Sequence, residues 1–529
     1  MGDIHVVVLA AGKGTRMKSQ VPKVLHRISG VALIERVLRV AEALEPATVT
    51  VVVGHGAEEV KAALSGPPKG GHHMDTDAGL AEGGHRGGTD AGLAEGGHHM
   101  DTDAGLAEGG HRGGTDAGLA EGGHRGGTNV ASGFSRTVQF VVQEQQLGTG
   151  HALLQTRPVL EGKSGVVVLL SGDAPLLTSN TLRSLIETHV QSQAAATVIT
   201  ADMARPFGYG RIVRTNGSIT RIVEERDASP AQRKISEINS GIYAFELEPL
   251  FGALDSIGTA NKQGEYYLPD LIAIYRKQKR TIATFTVERA DEIRGINSRT
   301  ELAEVSAMVR QQKNEELMAA GVTLIDPATT YVDSDVVVGA DTVIHPCVFL
   351  EGSTRIGAAC EIHSGTRIVN STLGDRVCVR NHTVVADSTV EAGAFLGPFA
   401  HIRPGSQVAE DAHIGNFVEL KKTSLGKGAK ANHLAYLGDA TIGARTNVGA
   451  GTITCNYDGE KKHQTVIGDN VFVGSNSTLV APVNLADGAY IAAGSAITKD
   501  VPAGGLGIGR ARQENKEGWV ASRKVKSEK

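Results

Sequence analysis

Aromatic residues make up only 4% of the 529-residue chain and there is a single Trp. Its cores must therefore be filled by Val, Ile, Leu and Ala. Cysteine is equally scarce. The four present, Cys347, Cys360, Cys378 and Cys455, lie far apart with no Cys-x-x-Cys pair. That spacing excludes a disulfide framework and a cysteine-based zinc site, and fits a reduced, cytoplasmic protein. No apolar run approaches the roughly 20 residues of a membrane span. The opening Met1 to Gly12 lacks the basic segment of a signal peptide and the Ser or Thr that myristoylation requires. Neither sign of charge dominates: 53 Lys and Arg stand against 58 Asp and Glu, a net −5. A protein holding nucleic acid by bulk positive charge is thereby disfavoured. Glycine is abundant, at 67 residues, and the length exceeds a single core, so two or three domains are expected.

Residues 70–128 stand apart. They repeat a 13-residue unit from Gly70, Gly83, Gly96 and Gly109, with a partial fifth from Gly122, alternating GGHHMDTDAGLAE with GGHRGGTDAGLAE. The segment holds 20 of the 67 Gly and 7 of the 19 His. Its 10 acidic residues against 3 Arg leave the rest of the chain near +2, with 50 basic residues against 48 acidic. One Leu and at most one Met per unit cannot offset the entropy of ordering 13 residues, so the segment is expected to be disordered and to hang from a surface loop. Its His-His and Asp-x-Asp pairs are metal-binding residue types, but the Gly-rich spacing offers no preorganised geometry. Nothing in a unit could form the buried stripe of a stacked repeat.

Ahead of it, Val6 to Leu9 reads as a strand entering Ala10-Ala11-Gly12-Lys13-Gly14-Thr15-Arg16-Met17, followed by Pro22-Lys23. Small residues after a strand let backbone N–H groups close on phosphate or a base edge. Leu33, Ile34, Val37, Leu38, Ala41 and Leu44 recur at helical spacing, and Val49 to Val53 is the next strand. Strand, Gly-rich turn, helix, strand predicts a doubly wound, mostly parallel α/β sheet with ligands at the strands' carboxyl ends. The glycines match neither a P-loop nor the dinucleotide fingerprint. The whole stretch, LAAGKGTRM with Pro-Lys close behind, resembles the signature of sugar-nucleotide pyrophosphorylases. By that resemblance Leu9, Ala10, Ala11, Gly12, Lys23, Ser171 and Gly172 contact a nucleoside triphosphate, and Gln143 with Gly148-Thr149 reads the base, as in uridylyl members. Asp173 and Asn297 hold Mg²⁺, and Gly210, Glu224 and Asn239 bind the sugar. The attacking phosphate oxygen is already anionic, so alignment and charge neutralisation suffice, with Arg16 and Lys23 as the cationic stabilisers.

Residues 302–318 read as an amphipathic linker helix. Beyond Asp326-Pro327 aliphatic residues recur every six positions: Val338, Ile344, Leu350, Ile356, Ile362 and Ile368. Steps of five then lead into Leu373, Val390, Leu425 and Ile442. The register returns at Ile467, Val473, Leu479, Leu485, Ile491 and Ile497, often with Gly next, as in Ile356-Gly357 and Ile414-Gly415. Such a period predicts a triangular parallel β-helix. It resembles the left-handed β-helix of hexapeptide-repeat acyltransferases, which usually trimerise. Asp458 to Val466 breaks the period and is expected as an outward loop, while His433, Tyr436, Asn456 and Tyr457 fall off the inward register, on an outer face.

Together these motifs resemble, over the whole chain except 70–128, the bifunctional N-acetylglucosamine-1-phosphate uridylyltransferase/glucosamine-1-phosphate N-acetyltransferase family. The resemblance implies a uridylyltransferase domain at 1–299, a linker helix at 300–320, and an acetyltransferase β-helix with its tail at 321–529. His433 takes a proton from the sugar 2-amine, which then attacks the thioester of acetyl-CoA; an imidazole suits that role. Arg403 and Lys421 hold the sugar phosphate. Tyr436 and Asn447, with Asn456 and Tyr457, shape the sugar pocket, and the latter pair joins Ala450, Ser475, Ala493 and Arg510 around acetyl-CoA. The substrates implied are glucosamine-1-phosphate, acetyl-CoA, N-acetylglucosamine-1-phosphate and UTP. The product, UDP-N-acetylglucosamine, feeds bacterial wall and outer-membrane polymers, and the assembly is a homotrimer. Two rivals stay open at this point: a single-activity nucleotidyltransferase whose prism only builds the oligomer, and a scaffold whose His-rich insert binds metal or a partner.

Overall fold

The computed structural model describes residues 2–65, 128–130 and 137–527. Apart from Thr128, the repeat at 70–128 lies outside the described residues, as does the reading of it as disordered. Strand β1 (Ile4–Ala10) is the centre of the first sheet. Its alternate residues serve two cores: Val6 and Val8 pack with Ile34, Val37 and Leu38 of helix Leu33–Glu42, while Val7 packs with Val167, Leu169, Tyr243 and Phe245. A strand covered on both faces reads as a continuous apolar run, which is how this one appeared in the sequence.

The remaining strands of this sheet are β2 (Thr48–Val53), β3 (Thr128–Val130), β4 (Thr137–Val142), β5 (Val166–Ser171) and β6 (Ala196–Asp202). They continue with β7 (Gly210–Thr215), β8 (Ser218–Val223), β9 (Glu237–Glu246) and β10 (Ile282–Thr286). The main order is β8-β7-β9-β5-β1-β2-β4-β3, with β6 joined to β9 and β10 to β6. The stretch β5-β1-β2-β4 is parallel, as is β6 with β10. The other half runs antiparallel through the long β9, which pairs with β5, β6 and β7. The sheet is therefore mixed, and the predominantly parallel character expected from the sequence belongs to the part that carries the Gly-rich loop.

His189, near the end of helix Ser179–Gln191, is 2% exposed. Its Nδ1 meets Thr197 Oγ1 at 2.9 Å, while its Nε2 has no hydrogen-bond partner and Glu246 Oε2 lies 3.9 Å away. Burial lowers its pKa to about 4.

The linker helix spans Arg299–Ala319 and opens with a capping box, Ser298 and Glu301. Near its far end Asn314 Nδ2 donates to the carbonyls of Pro327 (2.8 Å) and Thr330 (3.1 Å), at the first coil of the second domain. That domain is three all-parallel sheets of 11, 10 and 9 short strands, the left-handed parallel β-helix of hexapeptide-repeat chains. Three hexads make one coil, so Val338 pairs with Ile356. A step of five shortens a coil, pairing Ile356 with Leu373. The 458–464 loop lengthens one, pairing Ile442 with Ile467. Every aliphatic residue of the hexad register is buried, none more than 7% exposed. The following glycine is a packing requirement: a Cβ at Gly415 would lie 1.9 Å from the Asn432 carbonyl oxygen of the next coil. Buried threonines satisfy the corners, as where Thr342 Oγ1 donates to Gly357 O (2.9 Å) and Thr446 Oγ1 to Gly468 O (2.7 Å). Among the described residues no helix is long and apolar enough to cross a membrane.

One pH effect follows from His189. The unfolded residue protonates near 6.5 and the folded one near 4, so between these values the unfolded chain holds more protons. Its contribution is fully present above pH 6.5 and is lost as pH falls towards 4, by about 3 kcal/mol at most. Thermal unfolding of His189→Gln should show a flatter decline in Tm over that window than the parent chain; parallel curves would contradict this assignment.

Candidate active sites

The first site forms where β1, β2 and β5 end. Parallel register places Leu9 beside Ser171, and Gly172 N–H donates to the Leu9 carbonyl at 3.0 Å. Ala10, Ala11 and Gly12 thus run alongside Ser171-Gly172-Asp173. Gly54 closes the floor of this corner; a Cβ there would lie 2.8 Å from Ala11 O. A Cβ at Gly12 would meet no described atom within 4 Å, so open space lies beside this part of the loop. Arg16 is exposed on the 3-10 turn Thr15–Met17, whose Met17 is buried. Lys23 begins a second such turn, Lys23–Leu25.

Lys23 reaches across to the proposed metal ligands. Its Nζ donates to Asp173 Oδ2, in an ion pair, and to Asn297 Oδ1 at 3.2 Å. Both oxygens are hard donors, and both converge on one cation. Ser171 Oγ holds the other Asp173 oxygen. The capping box of the linker helix positions Asn297: Glu301 Oε2 accepts from Asn297 N–H at 2.6 Å and from Ser298 N–H at 3.2 Å, while Ser298 Oγ accepts from Glu301 N–H. The sequence reading overlooked Glu301, although Ser-x-x-Glu is a recognisable helix-start signature.

Gln143 is buried, and its Nε2 lies 3.1 Å from Gly148 O and 3.0 Å from His151 Nδ1. His151 was likewise not singled out in the sequence. Gly148 adopts φ +107°, and a Cβ there would lie 2.7 Å from Tyr266 O. Thr149 Oγ1 accepts from Leu268 N–H at 3.2 Å, so this turn is tied to the Gly264–Asp270 stretch. On the antiparallel half, Gly210, Glu224 and Asn239 converge. A Cβ at Gly210 would lie 3.2 Å from Glu224 Oε1 and 3.5 Å from Asn239 Cβ. Asn239 Oδ1 accepts from Tyr243 OH (2.9 Å) and Gly241 N–H (3.1 Å), which fixes its amide. Burial, then the neighbouring carboxylates of Asp227, Asp270 and Glu265, push the Glu224 pKa up.

The second site lies on the prism. Asn416 and His433 are register partners, and His433 Nδ1 meets Asn416 Oδ1 at 2.8 Å. The amide oxygen can only accept, so Nδ1 carries the proton and Nε2 the lone pair. His433 is exposed, and one corner separates it from Tyr436 at the start of the next strand. Arg403 Nη1 donates to Glu419 Oε1 at 2.9 Å, Glu419 pairs in register with Tyr436, and Lys421 pairs with Gly438. A Cβ at Gly438 would strike Tyr436 OH (2.6 Å) and Asn456 Nδ2 (2.8 Å). Asn456, just ahead of the 458–464 loop, is 7% exposed and bonds Asp439 Oδ2, so it is buried rather than standing on an outer face. Tyr457 is exposed at the edge of that loop, its OH donating to Gly459 O at 2.6 Å. Asn447 lies on the His433 sheet, paired with Lys430. From Ala431, Val448, Val473 and Ile491, which stack in register, two residues onward give His433, Ala450, Ser475 and Ala493 on successive coils. Arg510 is exposed beyond the last coil.

Residues 6–104 match the MobA-like NTP transferase domain, 127–290 the nucleotidyl transferase family, and 464–499 the hexapeptide repeat of succinyl-transferase. The bifunctional protein GlmU of Koribacter versatilis is 44% identical, over 99% of this chain and 98% of that protein. The chain belongs to the GlmU family. The GlmU proteins of Streptococcus suis and Pelobacter propionicus are each 42% identical, covering 98% and 100% of the chain. Acetyl transfer and uridylyl transfer are therefore both carried here, and the single-activity and scaffold readings give way. GlmU-family membership also implies a divalent metal and acetyl-CoA.

Two positioning residues can be tested. Glu301→Ala releases Asn297 and should lower uridylyl kcat up to about 100-fold and raise the metal concentration for half-maximal rate. Glu301→Gln, which keeps an acceptor, should recover much of both, and acetyl transfer should not change. Asn416→Ala should lower acetyl kcat about tenfold with KM little altered, and Asn416→Asp should restore it. Unchanged rates in the alanine variants would remove these roles.

Proposed function

We propose that the prism first converts glucosamine-1-phosphate and acetyl-CoA to N-acetylglucosamine-1-phosphate, which the α/β domain then joins to UTP. At the first step Arg403 and Lys421 bind the sugar phosphate. His433 Nε2 takes a proton from the 2-amine, whose lone pair attacks the thioester carbonyl, and CoA leaves as its thiol. The Nδ1 contact with Asn416 is the observation that carries this reading, because it leaves Nε2 as the basic nitrogen. Tyr436, Asn447, Asn456 and Tyr457 shape the sugar pocket, and the small Ala450, Ser475 and Ala493 offer acetyl-CoA a shallow track leading to Arg510.

At the second step a sugar phosphate oxygen attacks the α-phosphorus of UTP and pyrophosphate leaves. Backbone groups of Leu9 to Gly12 and of Ser171-Gly172 line the nucleotide, Gln143 with Gly148 and Thr149 reads uracil, and Gly210, Glu224 and Asn239 hold the sugar. Lys23 and Arg16 neutralise the charge of the phosphates. Mg²⁺ would be held by Asp173 and Asn297, whose oxygens already share the Lys23 ammonium, and would add to that neutralisation.

The wider reading is a cytoplasmic enzyme supplying UDP-N-acetylglucosamine for wall and outer-membrane polymers, with domain limits at 1–299, 300–320 and 321–529. A homotrimer is supported by an exposed ladder on one prism corner. There Phe399 stacks on Phe417 at 5.3 Å and on His382 at 5.2 Å, with Leu434 61% exposed. Such apolar continuity is a surface that other copies can cover.

With CoA and pyrophosphate followed separately, His433→Ala should abolish thiol release from glucosamine-1-phosphate and acetyl-CoA while leaving pyrophosphate release from N-acetylglucosamine-1-phosphate and UTP intact. Asp173→Asn should do the reverse. Loss of both activities in either variant would break the assignment.

A further inference from the structure

On an early turn of the prism, outside both proposed sites, His345, Glu361 and His363 cluster so that one ligand-type atom from each lies within 4.8 Å of the others. Coil pairing builds the cluster. Ile344 sits beside Ile362, so His345 and His363, one position on, stack with ring centroids 4.5 Å apart. Glu361 lies on the strand Glu361–Ile362, which His363 directly follows. Its Oε1 lies 3.2 Å from His363 Nε2 and 3.5 Å from His345 Nε2.

Two features set this apart from an ordinary ion pair. Ligand atoms around a tetrahedral ion with bonds of about 2.0–2.1 Å are spaced by about 3.3 Å, close to the two distances seen. His363 Nε2 also lies 3.2 Å from Arg380 Nη1. A guanidinium can only donate, so in this contact Nε2 accepts through its lone pair, the one a metal ion would take. The residues are half-buried to exposed, so an ion has access.

We propose that His345, Glu361 and His363 bind a zinc-class divalent cation, a clasp between two coils of the prism that serves neither transfer reaction. Two imidazoles and one carboxylate with an open fourth position for water are the donors such an ion takes. Arg380 must swing away from His363 for the ion to enter. Arg380 is thus a cationic competitor, and its removal favours the ion.

The test uses the full chain, titrated with Zn²⁺ against a chelating indicator and with Co²⁺ by visible absorption. The His-rich repeat is present in every sample, so only differences between variants count. His345→Gln/His363→Gln should bind one Zn²⁺ fewer per chain and lose the intense bands of four-coordinate Co²⁺. Arg380→Ala should tighten that same site about fivefold or more, as expected for removing a unit positive charge a few ångströms away. Retention of both transfer activities shows that each variant is folded. Equal zinc stoichiometry and identical cobalt spectra in the parent and the double variant would overturn the proposal, as would unchanged affinity in Arg380→Ala.

Discussion

Parallel pairing in fixed register is the constraint on which both sites depend. In the prism an inward aliphatic residue at every sixth position can be buried only if each coil lies flat on the one below. A residue is then stacked on the one 17 or 18 positions away, as Asn416 is on His433. In the α/β domain the parallel trio β5-β1-β2 ends on one edge, which sets the Gly-rich loop against Ser171-Gly172-Asp173. A one-residue slip in either place would turn the chemical groups to the opposite face along with the apolar ones. The hydrophobic pattern that folds the chain thus also fixes where its polar groups meet.

That dependence explains what could be read in advance. The hexads were legible because each inward position obeys one rule, and the steps of five at Leu373, Val390, Leu425 and Ile442 appear in the structure as shortened coils. The Gly-rich loop was legible because its residues are contiguous. Asn416 and His151 were not, since each acts through side-chain contacts that form only once the backbone is folded; Glu301 could be read as a helix start from Ser-x-x-Glu, but not as the group that holds Asn297. Asn456 shows the limit of the hexad rule: off the inward register, it is still buried, its amide bonded to Asp439. The antiparallel half of the first sheet was hidden for another reason. Glu237–Glu246 pairs with three strands distant in sequence, and nothing local in those strands encodes the direction of a partner.

Charge is divided sharply within the α/β site. The end at the Gly-rich loop carries Lys23, Arg16 and the Asp173 carboxylate, a set suited to an anion with its counter-cation. The antiparallel end carries Glu224 among Asp227, Asp270 and Glu265, whose repulsion adds to burial in raising the Glu224 pKa. A carboxyl held in such surroundings repels phosphate and favours hydroxyl and amide donors. On the proposed reading the same gradient would orient a sugar phosphate, its anionic end towards Lys23 and its neutral ring towards Gly210, Glu224 and Asn239.

The linker helix ties this site to the prism. At its start the Ser298–Glu301 box holds Asn297 beside Asp173 and Lys23; near its end Asn314 grips two carbonyls of the first coil, and Lys313 donates to Ser334 O at 3.1 Å. Across from it, Arg39 of helix Leu33–Glu42 makes a forked pair with Asp335, at 2.6 and 3.0 Å, and Arg36 bonds Ser334 Oγ and Ile28 O. Asp335 holds the Arg39 guanidinium firmly charged, and Arg39 in turn lowers the Asp335 pKa. Such a half-exposed pair adds little to stability, but a bidentate arginine fork sets an angle well. The helix is fixed at both ends and braced from the side, so Asn297 is positioned by the prism's first coils as well as by its own domain. The second half of the chain therefore contributes to the geometry of the first candidate site even though the two candidate sites share no residue.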